Sequence, residues 1–211
     1  MAELVKSGFR VSVRELREES YRALRARGYD WGQAQAASRI AAEAQILWGS
    51  GLSAIRQECA RFRGKKRLPL SRGQGVMANR GSRFPIWGPM AAALTVSRAP
   101  SDITITGVTC SKTLAVAFWD LDEFSSWTWG DGKCRFAIDA KGDLIGVDDS
   151  ATRKTTLILG KYVDKFADFQ LLLTADQRKQ ALLESLTNGV EVDSNGWEAL
   201  KKNSRKFLVP E

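Results

Sequence analysis

The sequence predicts an α+β protein: an N-terminal helical hairpin plus a third helix, then a largely antiparallel β-sheet, then C-terminal helices. Three observations carry that reading. Between Ser12 and Phe62 apolar residues recur at helical spacing between recognisable caps. Beyond Pro100 the period switches to two, with short Gly- and Asp-rich turns. After Thr174 the helical period returns.

The first helix opens on a capping box, Ser12 with Glu15 three residues on, and Gly28 supplies a left-handed residue at its end. Val13, Leu16, Ala23 and Leu24 mark its inward face, and the arginines among Glu15, Glu18 and Glu19 read as a solvated, partly self-neutralised face. Asp30 with Gln33 caps a second helix. Its stripe of Ala34, Ala37, Ile40, Ala41, Ala44, Leu47 and Trp48 runs to Gly49, and its alanines permit close approach of a neighbour. Trp31 and Trp48 are expected to wedge its two ends. A third helix carries Leu52, Ile55, Cys59 and Phe62 on one stripe.

From Leu68 to Pro89 the glycines and prolines predict a long loop, with Pro89 starting a short helix over Met90 to Arg98. Strands are expected at 103–106, 113–119, 125–129, 134–138, 144–147 and 155–159. Trp127 and Trp129 then share one face, with Phe136 and Ile138 on a neighbour, which reads as aromatic packing. Thr174 and Gln177 cap a helix with Ala181, Leu182 and Leu186 on one face, stopped by Asn188 and Gly189. Asp193 or Ser194 opens a last helix with Trp197 and Leu200 inward, and the tail from Phe207 to Pro210 is expected to dock on the body. The domain reading is 1–67 helical, 68–100 a Gly/Pro/Arg-rich connection with a short helix, and 101–211 β-rich with C-terminal helices, as one or two closely packed units.

Composition removes several chemistries. The chain has 211 residues and no histidine, so Ser-His and Cys-His nucleophile systems and His-ligated metal sites are excluded within it. Cys59, Cys110 and Cys134 are odd in number and widely spaced, which argues for reduced, buried thiols. No run of about 18 apolar residues exists, and Met1 to Phe9 lacks the apolar middle of a secretory signal. The expected location is the cytoplasm, without membrane insertion.

Charge gives the partner's sign. Residues 1–100 hold 18 Lys and Arg against 7 Asp and Glu, while residues 101–211 hold 14 against 17. The field of the first half attracts anions. Arg56, Arg61, Arg63, Lys65, Lys66 and Arg67 concentrate charge at the end of the third helix, and Arg72, Arg80 and Arg83 extend it among glycines and aromatics. These nine residues are the candidate anion-binding set, set against a merely solvated helix end. The segment Arg72, Gly73, Gln74, Gly75 matches neither the Walker nor the dinucleotide fingerprint. Asp120, Asp122 and Glu123 are the one compact acidic group with the chemistry for Mg²⁺ or Ca²⁺, but a carboxylate-rich loop after a strand is ordinary and is the reading preferred, with no metal site assigned.

Val11 to Leu16, the phrase Gly28-Tyr29-Asp30-Trp31-Gly32 before an Ala-rich helix, and the closing Phe207-Leu208-Val209-Pro210 resemble an uncharacterised bacterial protein family, a domain of unknown function, which implies no catalytic residues. Ser12 to Trp48, and Trp87-Gly88 to Ala99 followed by a strand ending Gly107-Val108-Thr109, are similar in order to the opening of the type 2 malate/L-lactate dehydrogenases. That resemblance implies NAD(P) and a histidine in a Ser-His-Gly motif just after the second helix. Here the place reads Gly49-Ser50-Gly51-Leu52-Ser53, so the resemblance implies a non-catalytic relative or one working with a partner subunit.

Three functions are compatible with the sequence. The first is a non-catalytic or accessory protein that binds an anionic small molecule or an acidic protein partner, as a homo- or hetero-oligomer or as subunit of a larger enzyme. The second is an NAD(P)-dependent oxidoreductase-like enzyme or subunit with Lys, Tyr or a carboxylate in place of histidine. The third is nucleic-acid binding through the basic half, with the steep salt dependence that phosphate contacts bring.

Overall fold

Local capping chemistry sets the helix boundaries. Ser12 Oγ accepts from Glu15 N–H at 3.0 Å while the Glu15 carboxylate accepts from Ser12 N–H at 2.9 Å, opening α1 (Val13–Arg25). The helix stops at Arg25, and Gly28, at φ +86°, turns the chain in the connection that follows. Asp30 accepts from Gln33 N–H at 2.8 Å to start α2 (Trp31–Trp48), which ends on left-handed Gly49. α3 (Gly51–Arg61) follows after a single residue.

The computed structural model describes residues 8–61, 70–73, 76–79, 81–99, 101–121, 126–131, 133–147, 154–161 and 168–207. Phe62, Ser125 and the tail residues Leu208 to Pro210, all given roles above, lie outside these. The chain divides into two compact units, Met1–Lys66 with Gln180–Glu211, and Arg67–Lys179.

The first unit is helical around one apolar stripe. Leu16, Ala23 and Leu24 of α1, Ala34, Ala37, Ile40 and Ala44 of α2, and Leu52, Ile55 and Cys59 of α3 are buried. They meet α7 (Ser194–Ser204), which brings Trp197 and Leu200 against α1 and α3. A Leu or Ile side chain so buried contributes about 1.5–3 kcal/mol each, which makes packing rather than propensity the main support of these short helices. Buried Glu58 is satisfied by the hydroxyl of buried Tyr29. Two short strands close the unit. β1 (Gly8–Val11) pairs antiparallel with β10 (Val190–Asp193), an association of chain ends that the sequence reading did not anticipate.

Among the described residues the second unit holds an eight-stranded, mostly antiparallel sheet, in the spatial order Leu70–Gly73, Val76–Asn79, Ile103–Thr109, Lys154–Lys161, Trp127–Gly130, Arg135–Ile138, Leu144–Val147, Gln170–Leu173. β2 (Leu70–Gly73) and β3 (Val76–Asn79) form a hairpin where glycines and prolines predicted a loop; its backbone groups find partners in the sheet, to which β3 adds parallel to β4 (Ile103–Thr109). The helix expected from Pro89 begins earlier. α4 (Phe84–Arg98) has Pro85 in its first turn and keeps Pro89 inside, at the loss of one N–H donor. β5 (Trp127–Gly130), β6 (Arg135–Ile138), β7 (Leu144–Val147) and β8 (Lys154–Lys161) follow the expected spacing, and β9 (Gln170–Leu173) adds an unforeseen edge.

The strand expected over 113–119 is a correction. Lys112–Leu114 is a 3₁₀ turn and Ala115–Trp119 is helix α5. Every residue from Thr113 to Trp119 is buried, so the segment has no polar side and its periodicity cannot separate helix from strand. Phe118 stacks on Trp127 at 5.6 Å and on Trp129 at 5.4 Å, and Trp129 packs on Phe136 at 5.8 Å, so the aromatic face is core. The other face of the sheet carries half-exposed Thr104, Thr106 and Thr128 and exposed Ile158, the one-sided pattern usual for antiparallel sheets.

α6 (Ala175–Asn188) carries the chain from the second unit back to the first. Its capping box forms as expected, with 3.0 Å bonds in both directions between Thr174 and Gln177. Its apolar face does not pack as expected. Leu186 is 71% exposed, while Ala181 and Leu182 are half-buried. Trp31 likewise stands 63% exposed instead of wedging the end of α2, because the first turn of that helix projects beyond the stripe that begins at Ala34.

Candidate functional site

The residues that shape the site follow from a period of two. In β10, Val190 and Val192 are buried while Glu191 and Asp193 point to the other face. On β1, Gly8 lies opposite Asp193 and Arg10 opposite Glu191, so Arg10 and Glu191 are direct cross-strand neighbours on that face. A Cβ on Gly8 would stand 3.0 Å from the Glu191 carboxylate, so that side chain lies close over the Gly8 backbone.

Against this face lie three helix ends. Arg10 Nη1 donates to the carbonyl oxygens of Asn188 and Gly189, both at 3.2 Å, satisfying the end of α6 beyond which Gly189 takes φ +71°. Gln45, 9% exposed near the end of α2, donates from Nε2 to the Glu191 carbonyl at 2.9 Å and accepts from Leu52 N–H at 3.0 Å. One amide side chain thereby ties β10 to the start of α3. From α3, Arg56 reaches to 4.0 Å from Asp193, with both side chains about two-fifths exposed. Asp193 is also the N-cap of α7, accepting from Gly196 N–H at 2.6 Å.

The result is an open cleft of about 790 Å³, inside the first unit, at the α2–α3 turn. That volume falls in the range of small-molecule sites. Its lining includes Arg10 and Arg56 as cations and Glu184, Glu191 and Asp193 as carboxylates. Gln180 donates to Glu184 at 2.8 Å. The Arg56–Asp193 pair is loose and solvated, which leaves the guanidinium able to turn to a ligand at small cost. A cysteine nucleophile is not on offer from α3, because burial pushes the Cys59 thiol up to about 12, against the pull of nearby Arg27.

Of the nine basic residues read from the sequence, Arg56 lines this cleft. Arg61 ends α3, exposed, in the same unit. Arg72 lies on β2 and half-buried Arg83 precedes α4, both in the second unit. Arg63, Lys65, Lys66, Arg67 and Arg80 fall outside the described residues, as do Asp122 and Glu123. Asp120 is exposed at the end of α5. Among the described residues no group of three or more His, Cys, Asp or Glu is arranged to hold a metal, and no helix is long and apolar enough to cross a membrane. Sequence reasoning missed Arg10, Gln45, Glu184 and Glu191. The alternation Val190-Glu191-Val192-Asp193 was the available signal.

No protein-family model and no curated protein matches the chain. Solved structures do. Malate dehydrogenase from Pyrococcus horikoshii OT3 superposes with a TM-score of 0.63 at 7% identity, over 100% of this chain and 99% of that one. Malate dehydrogenase from Entamoeba histolytica gives 0.61 at 7% identity, over 97% and 99%. Sulfolactate dehydrogenase from Methanocaldococcus jannaschii gives 0.57 at 9%, over 95% and 98%. The chain shares their fold. At such identities the likeness concerns the fold alone, and what a dehydrogenase fold does here depends on the side chains at the site.

Proposed function

We propose that this chain is a binding protein on a dehydrogenase fold, which holds a small carboxylate-bearing molecule in the α2–α3 cleft and does not turn it over. The observation that carries the reading is the environment of Gly51. In the Ser-His-Gly motif of the resembling dehydrogenases, histidine directly follows serine, and here the residue following Ser50 is Gly51. A Cβ at Gly51 would sit 1.7 Å from the Ala41 carbonyl oxygen and 2.9 Å from Gln45 N, both backbone atoms of α2. No side chain fits while the two helices stand as they do. The stretch that resembles the Ser-His-Gly region thus leaves no room for a side chain at Gly51.

Arg10 and Arg56, both on the cleft lining, are the groups we assign to the ligand's carboxylate. Thermal-shift titration of the full chain with malate, lactate and their 2-oxo acids tests the assignment. Stabilisation by a carboxylate, lost in Arg56→Ala, supports it; no shift at millimolar concentration with these acids or with any common L-amino acid rejects it.

The second reading is an NAD(P)-dependent oxidoreductase, or a subunit of one, in which Lys, Tyr or a carboxylate replaces histidine. It is favoured by the full-length likeness to malate and sulfolactate dehydrogenases. Stabilisation by NAD(H) or NADP(H) together with steady oxidation of the reduced cofactor selects it.

A further inference from the structure

We infer that the ligand of the α2–α3 cleft is a small zwitterion of the amino-acid class, carrying an ammonium as well as a carboxylate. This rests on the cleft being a ligand site, as proposed above, and names the chemistry it accepts.

The cleft holds two guanidinium groups and three carboxylates, so its lining is close to neutral and slightly acidic although the first hundred residues are strongly basic. The acids come from the other end of the chain. Glu184 stands on the last turns of α6, and the alternation of β10 turns Glu191 and Asp193 to the cleft face. They are not all consumed internally. Asp193 is engaged by Gly196 N–H and by Arg56, and Glu184 by the uncharged amide of Gln180, whereas Glu191 is exposed directly opposite Arg10.

A hydroxy acid offers such a lining one favourable group and no answer to its carboxylates. Malate brings two negative charges and meets Glu184 and Glu191 as like charges. An amino acid meets both signs at once: its carboxylate is matched to the two arginines, its ammonium to Glu191 and Glu184. The volume leaves room for a side chain of any natural size.

Matched pairs isolate the ammonium. L-Aspartate and L-malate, or L-alanine and L-lactate, differ by one ammonium in place of one hydroxyl. Calorimetric titration of the full chain with a panel of common L-amino acids and their hydroxy-acid counterparts is expected to show the amino member binding roughly tenfold or more tightly, the scale of one added charge contact. Glu191→Gln, a substitution at an exposed position, should bring the two members of a pair to similar affinity while leaving the melting temperature unchanged. If hydroxy acids bind as well as or better than amino acids and Arg56→Ala abolishes that binding, the zwitterion is overturned and the carboxylate site stands. If no member of the panel binds, both are overturned.

Discussion

Gly51 and Ala41 are in backbone contact: the space a Cβ on Gly51 would need is taken by the Ala41 carbonyl, 1.7 Å away. The alanines of α2 that face α3 make this approach possible, and glycine completes it. Because the obstruction is backbone, Gly51→Ala cannot be absorbed by a rotamer change. Overpacking of this kind costs about 3 kcal/mol, which in a chain of this size lowers Tm by roughly 6–12 °C. A thermal melt of Gly51→Ala within 2 °C of the parent, as an order-of-magnitude threshold, would show that the helices separate easily.

Asp193 serves two ends at once, the cap of α7 and the charge facing Arg56. Asp193→Asn keeps an N-cap acceptor and should retain stability, whereas Asp193→Ala should lose about 1 kcal/mol by urea denaturation. Equal losses in the two variants would place the contribution in the ion pair instead.

The pH dependence of α1 follows from its capping box. Hydrogen bonds from the Ser12 backbone and hydroxyl hold the Glu15 carboxyl below its ordinary value. A lowered folded-state pKa gives stability that is present above the unfolded value and lost as pH falls through the folded one. Ser12→Ala should cost about 1 kcal/mol at neutral pH, and its deficit should narrow below about pH 4.5. Because the Ser12 N–H still reaches Glu15 in this variant, a deficit that stays constant down to pH 3 would contradict the hydroxyl's part in holding the carboxylate.

All three cysteines are buried, and Cys59, pushed up to about 12 by desolvation, holds essentially no thiolate at neutral pH. Native protein treated with iodoacetamide should stay unmodified at Cys59 by mass spectrometry and become labelled in denaturant. Rapid native labelling would mean that α3 opens.

What was legible in the sequence was local. Ser12 with Glu15, Thr174 with Gln177, Asp193 and Gly49 act over three or four residues, and their caps form as read. Trp127 and Trp129 share a face because alternation alone dictates it. The run Thr113 to Trp119 misled because it is buried on every side. Leu186 misled because helical spacing reports a stripe without reporting whether anything covers it. The cleft was hardest to foresee, since it depends on Gly8–Val11 pairing with Val190–Asp193 across almost the whole chain. That pairing brings acids from the C-terminal part beside Arg10 and Arg56, and no count of charge by halves contains it.

A cofactor-oxidation assay on the purified full chain separates binding from turnover. With NADH or NADPH and a panel of 2-oxo acids, no rate above the protein-free control is expected at ligand concentrations that raise the melting temperature. Steady oxidation that disappears on replacing a single Lys, Tyr, Asp, Glu or Cys would contradict binding without turnover.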